Sequence, residues 1–260
     1  MFGDNYPYRR RQIWRYHRWC FGDDIVKIKD AQGVATQVYE EIKRRVIQAV
    51  YPPGGKLSEA RLGDELGCGR SPIRTAFARL NGEGFIAVSP QSGTYVRALT
   101  EQEIRDIFEC RLLLETHVTR FAALQMDAEQ LRRLRVAFRR LAPQGAADVT
   151  LDLIEDFNEL DAMFHMAIYK VSGNEVITGI LLNLHEKAQW LKHTNPSPPE
   201  RMHLAFREIE LVLESLEERD PDEAERRMRA HIGNAEDYGA SSRSGENMHR
   251  SDASSPQKVA

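Results

Sequence analysis

Residues 66–86 read LGCGRSPIRTAFARLNGEGFI, and this stretch decides the fold of the first part of the chain. Its closely spaced glycines predict a tight turn, after which Ser71 is expected to cap a helix and Pro72 to be its first residue. Apolar residues then recur three or four positions apart and would form the buried face of that helix: Ile73, Phe77 and Leu80. The preceding segment, 57–66, offers Ser58 as the cap of a short helix. Together they predict two helices joined by a turn.

The flanks of this helix-turn-helix complete a small domain. Upstream, valine and isoleucine recur every fourth residue from Val34 to Val50, which predicts an amphipathic helix that stops at Pro52. Downstream, the β-prone runs FIAV and TYV are separated by SPQSG, which is typical of a hairpin. A hairpin that follows a helix-turn-helix makes a winged helix-turn-helix domain, which we place at residues 31–98.

The outward side chains at the start of the second helix favour contact with DNA. In winged-helix domains this end of the helix enters the major groove, and here it carries Arg70, Ser71 and Arg74. Arginine can grip a guanine edge with two hydrogen bonds and can also clamp a phosphate. A single surface arginine is usually a solvated charge, but two of them one turn apart at this position indicate a DNA-reading surface.

Composition limits the other functions open to the 260 residues. Residues 1–99 carry 16 Lys or Arg against 10 Asp or Glu, whereas residues 100–260 carry 20 against 29, so a polyanion would meet the first part. No run of about 18 apolar residues exists that could span a membrane. The three cysteines lie far apart without paired spacing, which favours a reducing, cytoplasmic location.

The two ends of the chain differ from its middle. Residues 1–30 are rich in arginine and aromatic residues but lack the apolar stretch of a secretory signal. We expect them to be a disordered or mis-started basic extension, with a basic arm that lies on nucleic acid as the alternative. Residues 239–260 turn to Ser, Asp, Asn and Gln with few apolar residues, and there we expect a disordered tail.

Between residues 100 and 238 the strand signals vanish and six helices are predicted. Three of their starts carry cap residues, at Thr100, Asp127 and Asp220, and their ends lie at glycine- or proline-containing breaks. The predicted ranges are 101–125, 127–142, 150–172, 174–194, 198–219 and 221–238. The fold class is therefore mainly α: a winged helix-turn-helix domain followed by an all-α antiparallel helical bundle at 100–238, whose interior is a usual place for a ligand or a metal.

Four polar residues lie on or beside the apolar faces of these helices. Asp161 and His165 are four apart on one face, His203 borders the stripe of the fifth helix, and His231 lies on the stripe of the last. One carboxylate and three imidazoles form a donor set suited to zinc, nickel, iron or manganese. Each residue taken alone also fits a hydrogen-bonded core or boundary position, and the spacing does not show that the three helices meet.

The stretch from Leu57 to Val96 resembles the DNA-binding domain of GntR-type transcription regulators, through LGCGRSPIRTAFARLNGEGFI and the wing motif SGTYV. The resemblance implies that Arg70, Ser71 and Arg74 contact DNA and that Gly93 lies at the wing tip near the minor groove.

This sequence departs from that family's pattern at two positions. Ala60 stands where members often have Arg, and Gly69 where they often have Ser or Thr, so a phosphate contact and a hydroxyl contact are missing. Arg61 is the candidate replacement for the phosphate contact, although one step along a helix turns a side chain by about 100°.

The segments RLLLE, ELDAMFHMAIYKVSGN and RMHLAFREIELVLESLEERDPDEAERRMRAHI resemble the ligand-binding domain of the FadR subfamily of these regulators, over most of residues 101–235. In many members one Asp and three His bind a divalent metal. The resemblance implies that the corresponding ligands here are Asp161, His165, His203 and His231.

A further resemblance concerns Arg111, in ECRLLLE, which matches an inward-facing family position that helps to hold an anionic effector. An ion pair with Glu115, four residues on, is the alternative. His185 and His193 match no family ligand and are expected to be structural or solvent-exposed.

These observations predict a cytoplasmic, metabolite-responsive transcription repressor that is not an enzyme. A homodimer would read a palindromic double-stranded operator with two copies of one recognition helix. Zinc is the first choice of metal, with nickel, iron or manganese as alternatives, and the effector is expected to be a small organic acid or sugar acid. The alternatives are a metal-dependent hydrolase carried by the helical domain and an architectural DNA binder without a ligand, which leaves Asp161 and the histidines without a role.

Overall fold

The computed structural model describes residues 31–251 of the chain and the side chains from 33 to 236. The expected extension at residues 1–30, and residues 252–260 of the expected tail, lie outside the described part. Within the described part, no helix combines the length and the apolar character that crossing a membrane requires.

The first part of the chain folds as the predicted winged helix-turn-helix. It contains three helices and a three-stranded antiparallel sheet in the order β1-β3-β2. The elements are α1 (Ala31–Ile47), β1 (Lys56–Leu57), α2 (Glu59–Leu66), α3 (Arg70–Gly82), β2 (Ile86–Ser89) and β3 (Gly93–Val96). β2 and β3 form the predicted hairpin, with Ile86 opposite Val96. The two-residue strand β1 is too short to show the alternation by which strands are predicted.

The start of α3 differs from the sequence prediction. Gly69, in extended backbone, precedes the first turn and Arg70 is the first helical residue, so Ser71 is not the cap. Pro72 then stands at the third helical position, which is compatible with a helix because the N–H groups of the first turn have no partner within it. Arg70 and Ser71 therefore lie exposed in the first turn of α3.

Only the middle of the predicted apolar ladder on α1 reaches the core. Val38, Ile42 and Val46 are buried, whereas Val34 and Val50 are exposed. Four residues turn a helix by about 400°, so a strict four-residue ladder drifts by about 40° at each step and its ends rotate out of the buried face. Val50 also lies beyond the end of the helix.

The second part of the chain is the predicted all-α bundle. Its elements are α4 (Glu101–Gln125), α5 (Ala128–Leu141), a 3-10 helix (Ala146–Asp148), α6 (Leu151–Val171), α7 (Glu175–Thr194), α8 (Pro199–Glu217) and α9 (Pro221–Ser251). The expected caps are present: Thr100 forms a capping box with Glu103, and the side chain of Asp127 accepts from the backbone of Glu129 and Gln130. Aromatic rings from α5, α6 and α8 meet in the core. The predicted bounds agree within two residues, except at the end of α9.

The last helix contradicts part of the expected disordered tail. α9 continues to Ser251, so residues 239–251 are helical. This stretch contains two glycines, each of which is about 1 kcal/mol less favourable than alanine in a helix. It contains no proline, which would end the helix, and the next proline in the sequence is Pro256. A helix that has nucleated gains a hydrogen bond with each added residue, which is why polar composition alone does not end it.

α7 joins the two parts of the molecule, because one of its side chains belongs to the core of the winged-helix domain. Trp190 is buried against Phe85, with the ring centroids 5.7 Å apart. One turn earlier, Glu186 forms an ion pair with Lys43 at 2.5 Å, and Lys43 also contacts Glu83 at 2.9 Å. The helical bundle therefore supplies part of the hydrophobic core of its neighbour.

We expect Trp190→Ala to lower the free energy of unfolding by ~3–5 kcal/mol, because it removes a buried indole from a packed core. Urea denaturation followed by circular dichroism measures the loss. Val176→Ala, at an exposed position of the same helix, is the matched control and should change stability by less than about 0.5 kcal/mol. An effect of Trp190→Ala no larger than that of the control would show that the two parts do not share a core.

Candidate functional site

Two helices of the bundle bring three potential metal ligands together. α6 places Asp161 and His165 one turn apart on its buried face, and α9 adds His231. One ligand atom of each residue lies within 4.8 Å of those of the other two, and all three side chains are buried. The rings of His165 and His231 stack with their centroids 5.5 Å apart. The polar residues that interrupt the apolar face of α6 thus meet a third polar residue rather than hydrocarbon.

A carboxylate holds one nitrogen of each imidazole. Glu115 Oε2 lies 2.7 Å from His165 Nδ1, and Glu208 Oε2 lies 2.9 Å from His231 Nδ1. In both rings the second nitrogen, Nε2, is the one left to bind a metal. In His165 this nitrogen lies 3.5 Å from Asp161 Oδ1. Metal-binding histidines almost always donate their second N–H to a carboxylate, a carbonyl or water, which fixes the tautomer and the orientation of the ring. His231 has this arrangement with Glu208, whereas the 2.7 Å contact between His165 and Glu115 is an ion-pair contact without hydrogen-bond geometry.

Asp161 has one oxygen that is engaged and one that is not. Its Oδ2 accepts hydrogen bonds from Lys192 Nζ at 2.6 Å and from Gln189 Nε2 at 3.1 Å. Its Oδ1 is buried and, apart from the approach of His165, has no hydrogen-bond partner in the described part of the chain. Burial by itself raises the pKa of Asp161, but Lys192 and His165 lower that pKa well below its usual range. A charged, buried oxygen that lacks a partner is suited to bind a cation.

The pKa values of the two imidazoles shift in opposite directions. Burial lowers the pKa of His165, but Glu115 and Asp161 outweigh burial, so that the pKa is raised. For His231 burial is the largest influence and lowers the pKa, although the hydrogen bond with Glu208 acts in the opposite direction. Both rings must be neutral to bind a metal, and His231 takes that form at a lower pH than His165 does.

His203 does not join this group. The three residues that converge include none from α8, and His203 is absent from the wall of the cavity that they border. Its neighbour Met202 does line that cavity, and one step along a helix turns a side chain by about 100°, so His203 points in a different direction from Met202. The structure therefore brings together three of the four expected ligands.

Several residues of the site carry no signal in the sequence: Glu115, Gln189, Lys192 and Glu208. Such residues are ordinary on exposed helix faces, and the one available hint is the i, i+4 relation of Arg111 to Glu115. His185, expected to be structural or exposed, is buried beside the site, with its ring centroid 5.1 Å from that of His165. His193 contacts the backbone oxygen of Gln189, which is a structural role.

The converging residues border a cavity of about 90 Å³. Part of its wall is apolar and includes Ile104, Phe108, Ile154, Phe157 and Met202. The polar part contains three cations: Arg111, Lys192 and Arg201. Arg111 Nε also pairs with Glu115 Oε1 at 2.6 Å. Arg111 therefore both forms the ion pair and lies in the cavity wall, the two roles that the sequence left open as alternatives. Cations beside an apolar wall suit a small anion with a hydrocarbon part.

The residues expected to contact DNA lie exposed on the winged-helix domain. Arg70 and Ser71 are in the first turn of α3, and Arg74 follows one turn later. Arg74 Nε pairs with Glu59 Oε2 at 2.9 Å, and Arg61 Nε pairs at 2.7 Å with a glutamate of its own helix. Exposed pairs of this kind are weak because water screens both charges, so a phosphate or a base can replace the carboxylate.

Gly93 stands where the wing turns back into β3. Its φ of +113° lies in the region that favours glycine, and a Cβ at this position would come within 3.0 Å of Lys56 Cε. The turn itself therefore requires glycine here, whatever the wing contacts.

Comparison with known proteins identifies both parts of the chain. Residues 34–96 match the family described as bacterial regulatory proteins, gntR family, and residues 106–234 match the FCD domain. The HTH-type transcriptional repressor RspR of Escherichia coli (strain K12) is 28% identical over 212 residues, which cover 79% of this chain and 89% of RspR.

Two solved structures share the fold. A GntR transcriptional regulator from Rhodococcus sp. RHA1 matches with a TM-score of 0.67 and 19% identity, over 80% of this chain and 97% of that protein. McbR/YncC of E. coli matches with a TM-score of 0.66 and 20% identity, over 77% of this chain and 93% of that protein. At these identities the likeness concerns the fold alone.

The matched families and relatives are transcription regulators rather than enzymes, and the hydrolase hypothesis finds no support among them. The two family matches cover the same two parts of the chain that the structure shows, the winged helix first and the helical bundle second. This chain is a DNA-binding transcription regulator of the GntR family with an FCD domain, the architecture of the FadR subfamily.

Proposed function

We propose that this chain is a repressor whose helical domain binds one divalent metal together with a small acid and whose winged-helix domain responds by releasing its operator. One observation carries the proposal. Two buried imidazoles, each backed by a carboxylate, converge on a buried aspartate oxygen that has no hydrogen-bond partner in the described part of the chain. Metal-binding histidines almost always have a backing group of this kind.

In this proposal the operator is contacted by Arg70, Ser71 and Arg74, because they are exposed at the N-terminal end of α3. That end also favours phosphate, through its free N–H groups and the helix dipole. Arg61 would add a phosphate contact, and Gly93 would bring the wing tip to the minor groove. A homodimer would present two such surfaces to a palindromic operator.

The metal would be held by Asp161, His165 and His231. Zinc suits this mixture of nitrogen and oxygen donors, and nickel, iron and manganese are the alternatives. When bound, the ion supplies a positive centre to which a carboxylate or hydroxyl can attach. Three protein ligands leave at least one position of a four-coordinate ion open for such a group.

The effector would be a small organic acid or sugar acid. Arg111 lines the same cavity and uses Nε to bind Glu115, so its terminal nitrogens remain to face an anion. The cavity of about 90 Å³ has room for a small acid, since ~10–15 Å³ of such space is enough to hold one water.

Arg74→Ala should weaken operator binding by ~1–3 kcal/mol and should weaken binding to random DNA less, because a contact with a base edge discriminates between sequences. Fluorescence anisotropy at a fixed salt concentration measures both affinities. Arg132→Ala, at an exposed position of the helical domain, is the control and should leave both unchanged. Equal losses on the two DNAs would show that Arg74 contacts only phosphate. Unchanged binding to both would show that α3 does not lie in the groove.

His231→Ala should weaken zinc binding at least ~10-fold to 100-fold, because the loss of even a backing residue has an effect of that size. The measurement is elemental analysis after chelation, reloading and dialysis, together with a competition titration. The matched control is His203→Ala, which removes an imidazole that the structure places outside the group and should keep the metal.

The two variants also separate the roles of the metal. His231→Ala should blunt the response of operator binding to the effector, while the folded protein still binds its operator. Undiminished effector affinity in fully chelated protein would show that the metal has no part in the response. Equal loss of zinc in both variants would place His203 in the site after all.

A further inference from the structure

Every carboxylate around the candidate metal site is paired with a cation of its own. The pairs are Asp161 Oδ2 with Lys192 Nζ at 2.6 Å, Glu115 Oε1 with Arg111 Nε at 2.6 Å, and Glu208 Oε2 with Arg201 Nη2 at 2.9 Å. Three negative and three positive charges cancel. With both imidazoles in the neutral form that metal binding requires, the site has no net charge before an ion enters.

A site without net charge does not favour the binding of a divalent ion that enters without an anion. The ion would bring two uncompensated positive charges into a cavity whose ligands are almost completely buried, and an unbalanced buried charge is unfavourable. An anion that enters with the ion removes this imbalance. The charge inventory therefore makes the metal and an anionic ligand depend on each other.

Lys192 is the cation that sets this balance. Its ammonium binds the carboxylate that would ligate the metal, whereas Arg111 and Arg201 bind carboxylates that back the imidazoles. Its side chain is 32% exposed, against 4% for Arg111 and 12% for Arg201, so it is the least confined of the three. A lysine stem is flexible and carries a compact charge, which allows the ammonium to move from Asp161 to an incoming anion.

We propose that Lys192 neutralises Asp161 and thereby suppresses the binding of a divalent metal alone, so that the metal and a carboxylate ligand are taken up together. The proposal rests on the metal site proposed above. It assigns to Lys192 the control of how strongly metal binding depends on an anion, a role that a merely structural ion pair lacks.

The test is a calorimetric titration of metal-free protein with Ni²⁺ alone. Lys192→Gln removes the charge but keeps a hydrogen-bond donor for Asp161, and we expect it to bind Ni²⁺ at least ~10-fold more tightly than the wild type, since a positive charge next to the ion has gone. Lys192→Arg keeps the charge and should bind Ni²⁺ like the wild type. Lys170→Gln, which removes the same charge from an exposed position of α6, should also match the wild type.

A second titration adds excess sodium acetate, with sodium chloride at the same ionic strength as the reference. Acetate should strengthen Ni²⁺ binding more in the wild type than in Lys192→Gln. Equal Ni²⁺ affinity in the wild type and Lys192→Gln, or an equal effect of acetate on both, overturns the role of Lys192 while leaving the metal site standing. Absence of Ni²⁺ binding in all of these proteins, or binding that His231→Ala leaves unchanged, overturns the metal site itself.

Discussion

The charge buried on α6 is the constraint on which the helical domain depends. An ionised Asp161 and an imidazole one turn away have no place in hydrocarbon without partners, because an unpaired buried charge costs several kcal/mol. The partners come from three other helices: Glu115 on α4, Lys192 on α7 and His231 on α9. Glu208 on α8 in turn holds His231. Polar contacts thus fix the relative positions of helices that apolar packing alone would allow to slide.

Much of this architecture can be predicted from the sequence, because it follows local rules. A cap such as Thr100 acts within one turn of where it stands, so the helix bounds of the second part are mostly readable to within two residues. Pro52 is a poorer guide, because α1 already ends at Ile47, five residues before it. Asp161 and His165 share a face because four residues make about one turn. The resemblance to GntR-type regulators extended these local rules to the order of the domains, which the structure and the family matches confirm.

The contacts between distant residues could not be predicted in the same way. Spacing alone could not separate His203, which is outside the converging group, from His231, which belongs to it, since both lie on or beside apolar stripes. Glu115 and Glu208 looked like surface acids until the fold placed imidazoles against them. Trp190 gave no sign that its ring completes the core of the other domain.

Because of Trp190, α7 contacts both the cavity and the core of the winged-helix domain. The same helix holds Asp161 through Gln189 and Lys192 on one face and packs Trp190 against the winged-helix domain on another. An α-helix moves nearly as a rigid body, and a packed core has little free volume in which Trp190 could stay behind. A displacement of α7 that separates Lys192 from Asp161 therefore shifts the winged helix as well. In the proposed function, thermodynamic reciprocity then requires that an operator which holds the winged helix in one position biases the cavity towards the matching arrangement of α7, by the same free energy with which the occupied cavity biases operator binding.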